Sequence, residues 1–190
     1  IARSAASKPY IKMGTPWFQL KNNSYPEKIY GFSSNYELYA SMSARVMHCL
    51  EEMAAAVMPY SVDEVFLDCR GIDNCLSFED YGCQIRAHVY ACTRLTVGIG
   101  FGPTLTLAKS AQWASKEWKQ FRGVLALTPD NPVRTQKLLS LQPVEEVWGG
   151  GNRTAKKRQV MGIRTALDLP GSNTSFWRKN FSVVLDRTIR

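Results

Sequence analysis

The sequence has little of what builds metal or disulfide frameworks by spacing. It contains two histidines, His48 and His88, neither in a zinc-motif interval. Its five cysteines, Cys49, Cys69, Cys75, Cys83 and Cys92, are odd in number and include no C-x-x-C pair. That pattern argues against a zinc site or a disulfide framework and leaves buried, reduced thiols of a cytosolic protein. No apolar run approaches the ~20 residues of a membrane span, and no secretory signal pattern opens the chain. The expected location is therefore cytoplasmic. Internal repeats and low-complexity tracts are also missing. So is an initiator Met: the chain opens at Ile1, which reads as a fragment of something longer.

What is present permits a core. Apolar residues make up 45% of 190, enough for one compact domain or one and a half. Lys and Arg number 24 against 16 Asp and Glu, a formal net charge of +8. An excess of this size suits a polyanion such as nucleic acid, although a merely basic soluble protein has it too. The excess is concentrated after residue 103, in residues such as Lys109, Lys116, Lys119, Arg122, Arg158 and Arg164, while the carboxylates sit mostly before residue 90.

Hydrophobic periodicity gives the elements. Ala2 to Lys8 reads as a helix and Ile29 to Phe32 as a short strand. Tyr39, Met42, Val46, Leu50, Met53 and Val57 then form one apolar face of a long helix that Pro59 closes. Tyr60 to Asp68 is a β-rich run. Phe78 to Cys92 is a second helix, Leu95 to Phe101 a strand entering a Gly-rich turn, Thr104 to Trp118 a helix, and Gly123 to Leu127 a strand. This alternation predicts an α/β layer structure. It stops near Pro132, beyond which lie short helical pieces: Val133 to Ser140, Val144 to Trp148, Arg153 to Met161 and Arg164 to Leu169.

Asp63 and Glu64 sit in the middle of the β-rich run, flanked by Val62, Val65, Phe66 and Leu67. Two adjacent carboxylates in a buried strand repel each other and lose hydration, so a cation is expected nearby. Mg²⁺ suits hard oxygen ligands. Strand neighbours point to opposite faces, so both acids reach one metal cluster only at a strand end, a bend or a tight hairpin. Paired ions held by carboxylates run phosphoryl and nucleotidyl transfer. Such a site wants a third carboxylate, and Asp68 lies too far along the strand to supply it.

These residues carry a family resemblance. The segment Tyr60–Ser61–Val62–Asp63–Glu64–Val65–Phe66 resembles the YSIDEAF segment of Y-family, translesion DNA polymerases. Phe32 to Tyr39, Leu95 to Gly100 with Thr104 to Lys109, and Val144 to Gly149 are similar to stretches of the UmuC-like branch, in the same order. The resemblance implies an α+β palm with a small all-α helix-hairpin-helix thumb: residues 1–25 the end of a fingers insertion, 26–130 palm, 131–190 thumb. It implies an error-prone DNA-directed DNA polymerase of the SOS damage response. Asp63 and Glu64 would be catalytic ligands of two Mg²⁺ ions, and Lys8 and Lys116 would bind the incoming triphosphate. Each lysine taken alone also fits an ordinary solvated side chain. The family's first metal carboxylate and its steric-gate aromatic belong to an N-terminal segment that would precede Ile1, so the chain as given is expected to be inactive.

Val144 to Leu169 resembles a helix-hairpin-helix whose turn is Gly149–Gly150–Gly151. Backbone N–H groups at Gly149 and Gly151, with Arg153, Lys156 and Lys157, would hold DNA phosphates without reading sequence. A flexible glycine linker before a basic helix fits the same residues. The implied partners are primer-template DNA and deoxynucleoside triphosphates, two copies of a processed UmuD′-like accessory subunit, a recombinase filament and a sliding clamp. Two other readings share these features: a noncatalytic DNA-binding module from a truncated or degenerate relative, and a two-metal nuclease.

Overall fold

The structure is a computed structural model that describes residues 2–4, 6–20, 29–148 and 162–169. The chain forms two compact units, Ile1–Glu37 and Leu38–Arg190. In the first, residues 6–10 form turns, with the Ser7 N–H bonded to the Ser4 carbonyl and the Tyr10 N–H to that of Ser7, where a helix was expected. Pro9 and the serines, which bond locally to the backbone, account for the break. Helix α1 (Trp17–Leu20) follows, and Gly31 lies so close to the Trp17 ring that no side chain fits there. Residues 29–32, expected as a strand, have no sheet partner among the described residues.

Helix α2 (Tyr36–Glu51) is exposed along most of its length and buries Cys49 and Leu50 at its C-terminal end. It stops earlier than its periodicity suggests. Met53 lies beyond it, and Val57 belongs to strand β1 (Ala56–Pro59). Strand β1 pairs antiparallel with β2 (Val65–Asp68), Ala56 facing Asp68 and Pro59 facing Val65. Cross-strand pairing thus overrides the helical preference of Ala54–Ala55–Ala56. The expected single strand over Tyr60 to Asp68 is instead a hairpin turn followed by β2.

Helix α3 (Phe78–Thr93) begins at Ser77, whose hydroxyl accepts the Asp80 N–H at 3.0 Å. It buries Tyr81, Ile85 and Val89 at four-residue intervals, and Arg94 ends it in the left-handed region at φ 62°. Strand β3 (Ile99–Phe101), helix α4 (Leu105–Glu117) and strand β4 (Val124–Ala126) form a β-α-β unit. The two strands are parallel, with Ile99 opposite Val124.

This unit packs unusually close. Gly98, Gly100 and Gly102 alternate along the chain, so their missing side chains share one face. A Cβ on Gly100 would strike the backbone of Ala108 and Gln112; one on Gly102 would lie 2.6 Å from the Ala108 nitrogen. Helix α4 answers with its own small buried residues, Ser110, Ala111, Ala114 and Ser115. The Gly-rich stretch read as a turn is thus largely a contact face.

Strand β4 is buried on both faces, as parallel strands are. Val124 and Ala126 join Tyr81, Ile85, Val89 and Phe101 in one core, while Leu125 and Leu127 join Ala111, Ala114 and Leu138 in a second. Leu138 comes from α5 (Pro132–Leu141), which Asn131 caps. A 2.8 Å ion pair between Arg134 and Glu79 also ties α5 to α3. A third cluster of Val144, Val147, Ala166 and Leu169 is held by the Pro143–Thr165 bridge. Where short helices were expected there, single 3-10 turns occur at Val144–Glu146 and Ala166–Asp168.

Candidate active site

Asp63 and Glu64 occupy the turn that joins β1 to β2. The Tyr60 and Ser61 N–H groups both donate to the Glu64 carbonyl at 3.0 Å, closing the hairpin. Asp63 is exposed rather than buried in a strand. The Ser61 hydroxyl donates to Asp63 Oδ1 at 2.7 Å and accepts the Asp63 N–H at 3.3 Å, fixing the carboxylate from below. A hairpin is one of the local geometries that lets neighbouring acids serve one site, and it spares both the cost of full burial.

The turn is held from outside by an aromatic cluster. The Tyr60 and Phe66 rings flank the acidic pair in sequence, and both meet Trp148, at 5.3 and 5.6 Å between centroids. Tyr60 and Phe66 also contact each other edge-on at 5.8 Å. Such offset and tilted contacts are favourable beyond the area they bury.

A cleft of about 1550 Å³ opens beside the turn, bounded by both sheets and by α2 and α4, and both carboxylates line it. So do Lys109 and Lys116, seven residues apart on α4 and therefore on one face of that helix. Lys109 Nζ makes an ion pair with Glu64 Oε1, both groups being largely covered. Lys116 is exposed, and its stem crosses Gly98. The smaller cavity of about 670 Å³ near Trp118 and Phe121 offers one carboxylate, Glu117, and so lacks a paired-acid centre.

Divalent-metal use accompanies this kind of site, and the donors present fit a hard cation. Asp63 Oδ2 and Glu64 Oε2 make no hydrogen bond among the described residues, and each carboxylate keeps acceptor capacity beyond its present partner. Asp68 does not join them. It pairs with Arg70, whose side chain and backbone N–H hold its carboxyl down to about 2.

The expected site residues are only partly brought together. Asp63, Glu64 and Lys116 share the cleft. Lys8 is exposed in the first unit. Gly149, Gly151, Arg153, Lys156 and Lys157 lie outside the described residues. Sequence reading missed Lys109 as Glu64's partner, although its seven-residue interval from Lys116 was visible. It also set aside His88, Cys49 and Cys92, which meet in space.

Residues 2–112 match the family described as impB/mucB/samB. The chain is 64% identical to Protein SamB of Salmonella typhimurium over 191 residues, covering 100% of this chain and 45% of that protein. It is 50% identical to UmuC of the same species over 192 residues, with the same coverage of each. DNA polymerase IV of Neisseria meningitidis is 32% identical over 145 residues, 76% of this chain and 43% of that one. A Dbh ternary complex matches 97% of this chain and 54% of its own with a TM-score of 0.73 at 23% identity. For DinB from Sulfolobus solfataricus the TM-score is 0.64 at 22% identity, over 82% of this chain and 44% of that one. These two likenesses concern the fold. The chain spans less than half the length of the curated relatives it matches. No described helix is long and apolar enough to cross a membrane. With its acidic hairpin, glycine-faced β-α-β unit and lysine-lined cleft, the chain belongs to the impB/mucB/samB family, the UmuC-like branch of the Y-family DNA polymerases.

Proposed function

We propose that this chain is part of an error-prone, template-directed DNA polymerase that carries out translesion synthesis in the SOS response. The observation that carries the reading is the pairing of Asp63 and Glu64 on one hairpin, beside a cleft lined by Lys109 and Lys116. Asp63 and Glu64 would be oxygen donors for two Mg²⁺ ions. When bound, such a pair of ions supplies activation of the primer 3′-hydroxyl and charge neutralisation at the leaving pyrophosphate.

The chain's own residues do the rest. The Ser61 hydroxyl and the hairpin bonds hold the Asp63 carboxylate in one orientation, so that little reorganisation is needed when substrate arrives. Lys109 balances the charge of Glu64 and brings a cation to the cleft that would receive the triphosphate. Lys116 acts as a compact point charge for the triphosphate, and Lys8 is assigned the same role from the fingers side. Residues 26–130 act as palm and 131–190 as thumb, where Gly149, Gly151, Arg153, Lys156 and Lys157 hold DNA phosphates. A UmuD′-like dimer, a recombinase filament and a sliding clamp are the proposed partners, in a cytoplasmic, nucleoid-associated assembly.

The experiment is primer extension by a whole-length protein that carries this segment. Asp63→Ala should abolish nucleotide incorporation while leaving salt-sensitive DNA binding in place. Incorporation at the unsubstituted rate would remove Asp63 from the site. DNA binding without incorporation by the unsubstituted protein would make it a noncatalytic module.

A further inference from the structure

Four side chains with metal-ligating atoms meet where the C-terminal end of α2 packs on α3. Cys49 and Glu52 come from the last turn of α2 and the residue after it; His88 and Cys92 come from α3. Intervals of three and of four residues keep each pair on one side of its helix. The Cys49 and Cys92 sulfurs and a ring nitrogen of His88 lie within 4.8 Å of one another. His88 Nε2 is 2.9 Å from Glu52 Oε2 and 3.9 Å from Cys92 Sγ.

Tetrahedral zinc, with bonds of about 2.3 Å to sulfur and about 2.0–2.1 Å to nitrogen or oxygen, holds its ligand atoms about 3.3–3.8 Å apart. The Cys92–His88 separation is close to that range, and the Cys49, His88 and Cys92 atoms already lie within 4.8 Å of one another; Glu52 joins them through His88 and would turn toward the two thiols to supply the fourth ligand. Two thiolates and an imidazole are a soft donor set that selects zinc over magnesium. None of the four residues lines the cleft that holds Asp63 and Glu64. The cluster is therefore separate from the active site in both place and donor chemistry.

We propose that Cys49, Glu52, His88 and Cys92 form a structural zinc site that clamps α2 onto α3. Four protein ligands leave no open coordination position, which marks a structural and not a catalytic ion. The location gives the clamp a task. Among the described residues of helix α2, the buried ones are Cys49 and Leu50, both at this end. Zinc there would fix the end of the helix that enters the core. His48 lies 4.0 Å from the other Glu52 oxygen but is itself 76% exposed, and stands outside the set.

The test uses the 190-residue chain, reduced and stripped of metal. Zinc alone is titrated in competition with a chromophoric chelator, and cobalt(II) serves as the spectroscopic substitute. The expected result is one zinc per chain at sub-micromolar affinity, a tetrahedral thiolate cobalt spectrum, and a melting temperature that rises with zinc. Cys92→Ser changes an exposed, nearly isosteric residue and should lower affinity by about 100-fold or more. His88→Ala should do the same, while Cys83→Ser and His48→Ala change neither affinity nor spectrum, with circular dichroism verifying each fold. Stoichiometric binding that survives Cys92→Ser and His88→Ala overturns the proposal, as does affinity weaker than micromolar in the unsubstituted chain. Cross-linking of Cys49 to Cys92 in air without any cobalt thiolate band also overturns it and assigns the pair to thiol–disulfide chemistry.

Discussion

The two lysines on α4 face the same cleft but do different work. Lys109 pairs with Glu64, and the Lys116 stem lies against Gly98. In a whole-length protein, Lys116→Ala should raise the apparent nucleotide KM and lower turnover, which steady-state single-nucleotide incorporation reads directly. Unchanged nucleotide kinetics would remove Lys116 from the site. Asp68 gives a second residue-scale expectation. The Arg70 guanidinium, through its hydrogen bonds and charge, holds the Asp68 carboxyl at about 2 against an ordinary 3.8. A depressed carboxyl pKa contributes stability above its unfolded value, and that contribution disappears as pH falls from about 4 through about 2. Carboxyl titration by NMR should show the low value, and Arg70→Ala should return it toward the ordinary one. Because Arg70 is 91% exposed, salt should weaken the pair. Both Asp68 carboxylate oxygens are engaged by Arg70.

At the scale of elements, the contact between β3 and α4 controls where both lysines sit. Gly100→Ala would push a methyl group into helix backbone, which cannot yield as a side chain does. Overpacking of this kind costs about 1–3 kcal/mol, and the loss should appear as a lower denaturation midpoint with an unchanged slope. Gly98→Ala meets the flexible stem of Lys116 at 2.8 Å and the Ser115 hydroxyl at an ordinary 3.5 Å, so its stability loss should be smaller. Helices α3 and α4 were legible because their apolar or small residues recur at helical intervals and Ser77 and Thr104 stand at their starts. The stretch from Glu51 to Val65 was not. Its alanines favour helix and its valines favour strand, and the register of β1 on β2 decides between them. The glycine face was visible as alternating Gly98, Gly100 and Gly102, but its meaning depends on which helix lies over it. The metal-ligating cluster was invisible for a similar reason. Its ligands come from two helices, so no interval along the chain reports it.

At the scale of the whole molecule, the proposed function gives the basic excess the part of binding a polyanion and the acidic hairpin the part of acting on it. Charge that contacts phosphate makes binding fall with salt, with a log–log slope of about −0.9 per phosphate neutralised on duplex DNA. Replacing Arg153, Lys156 and Lys157 with Ala in a whole-length protein should therefore flatten the slope by about 2–3, as read by fluorescence anisotropy across a salt series. An unchanged slope would take these residues off the DNA. Family membership was legible in the ordered segments around Asp63–Glu64, and Asp63, Glu64 and much of Leu95 to Lys109 line one cleft. The aromatic cluster around the hairpin has a further use. Trp148 lies against Tyr60 and Phe66, the residues that bracket the acidic turn. With the other four tryptophans replaced by Phe, its indole becomes a fluorophore stationed at the acidic hairpin, and its emission reports any shift of that turn without an added label.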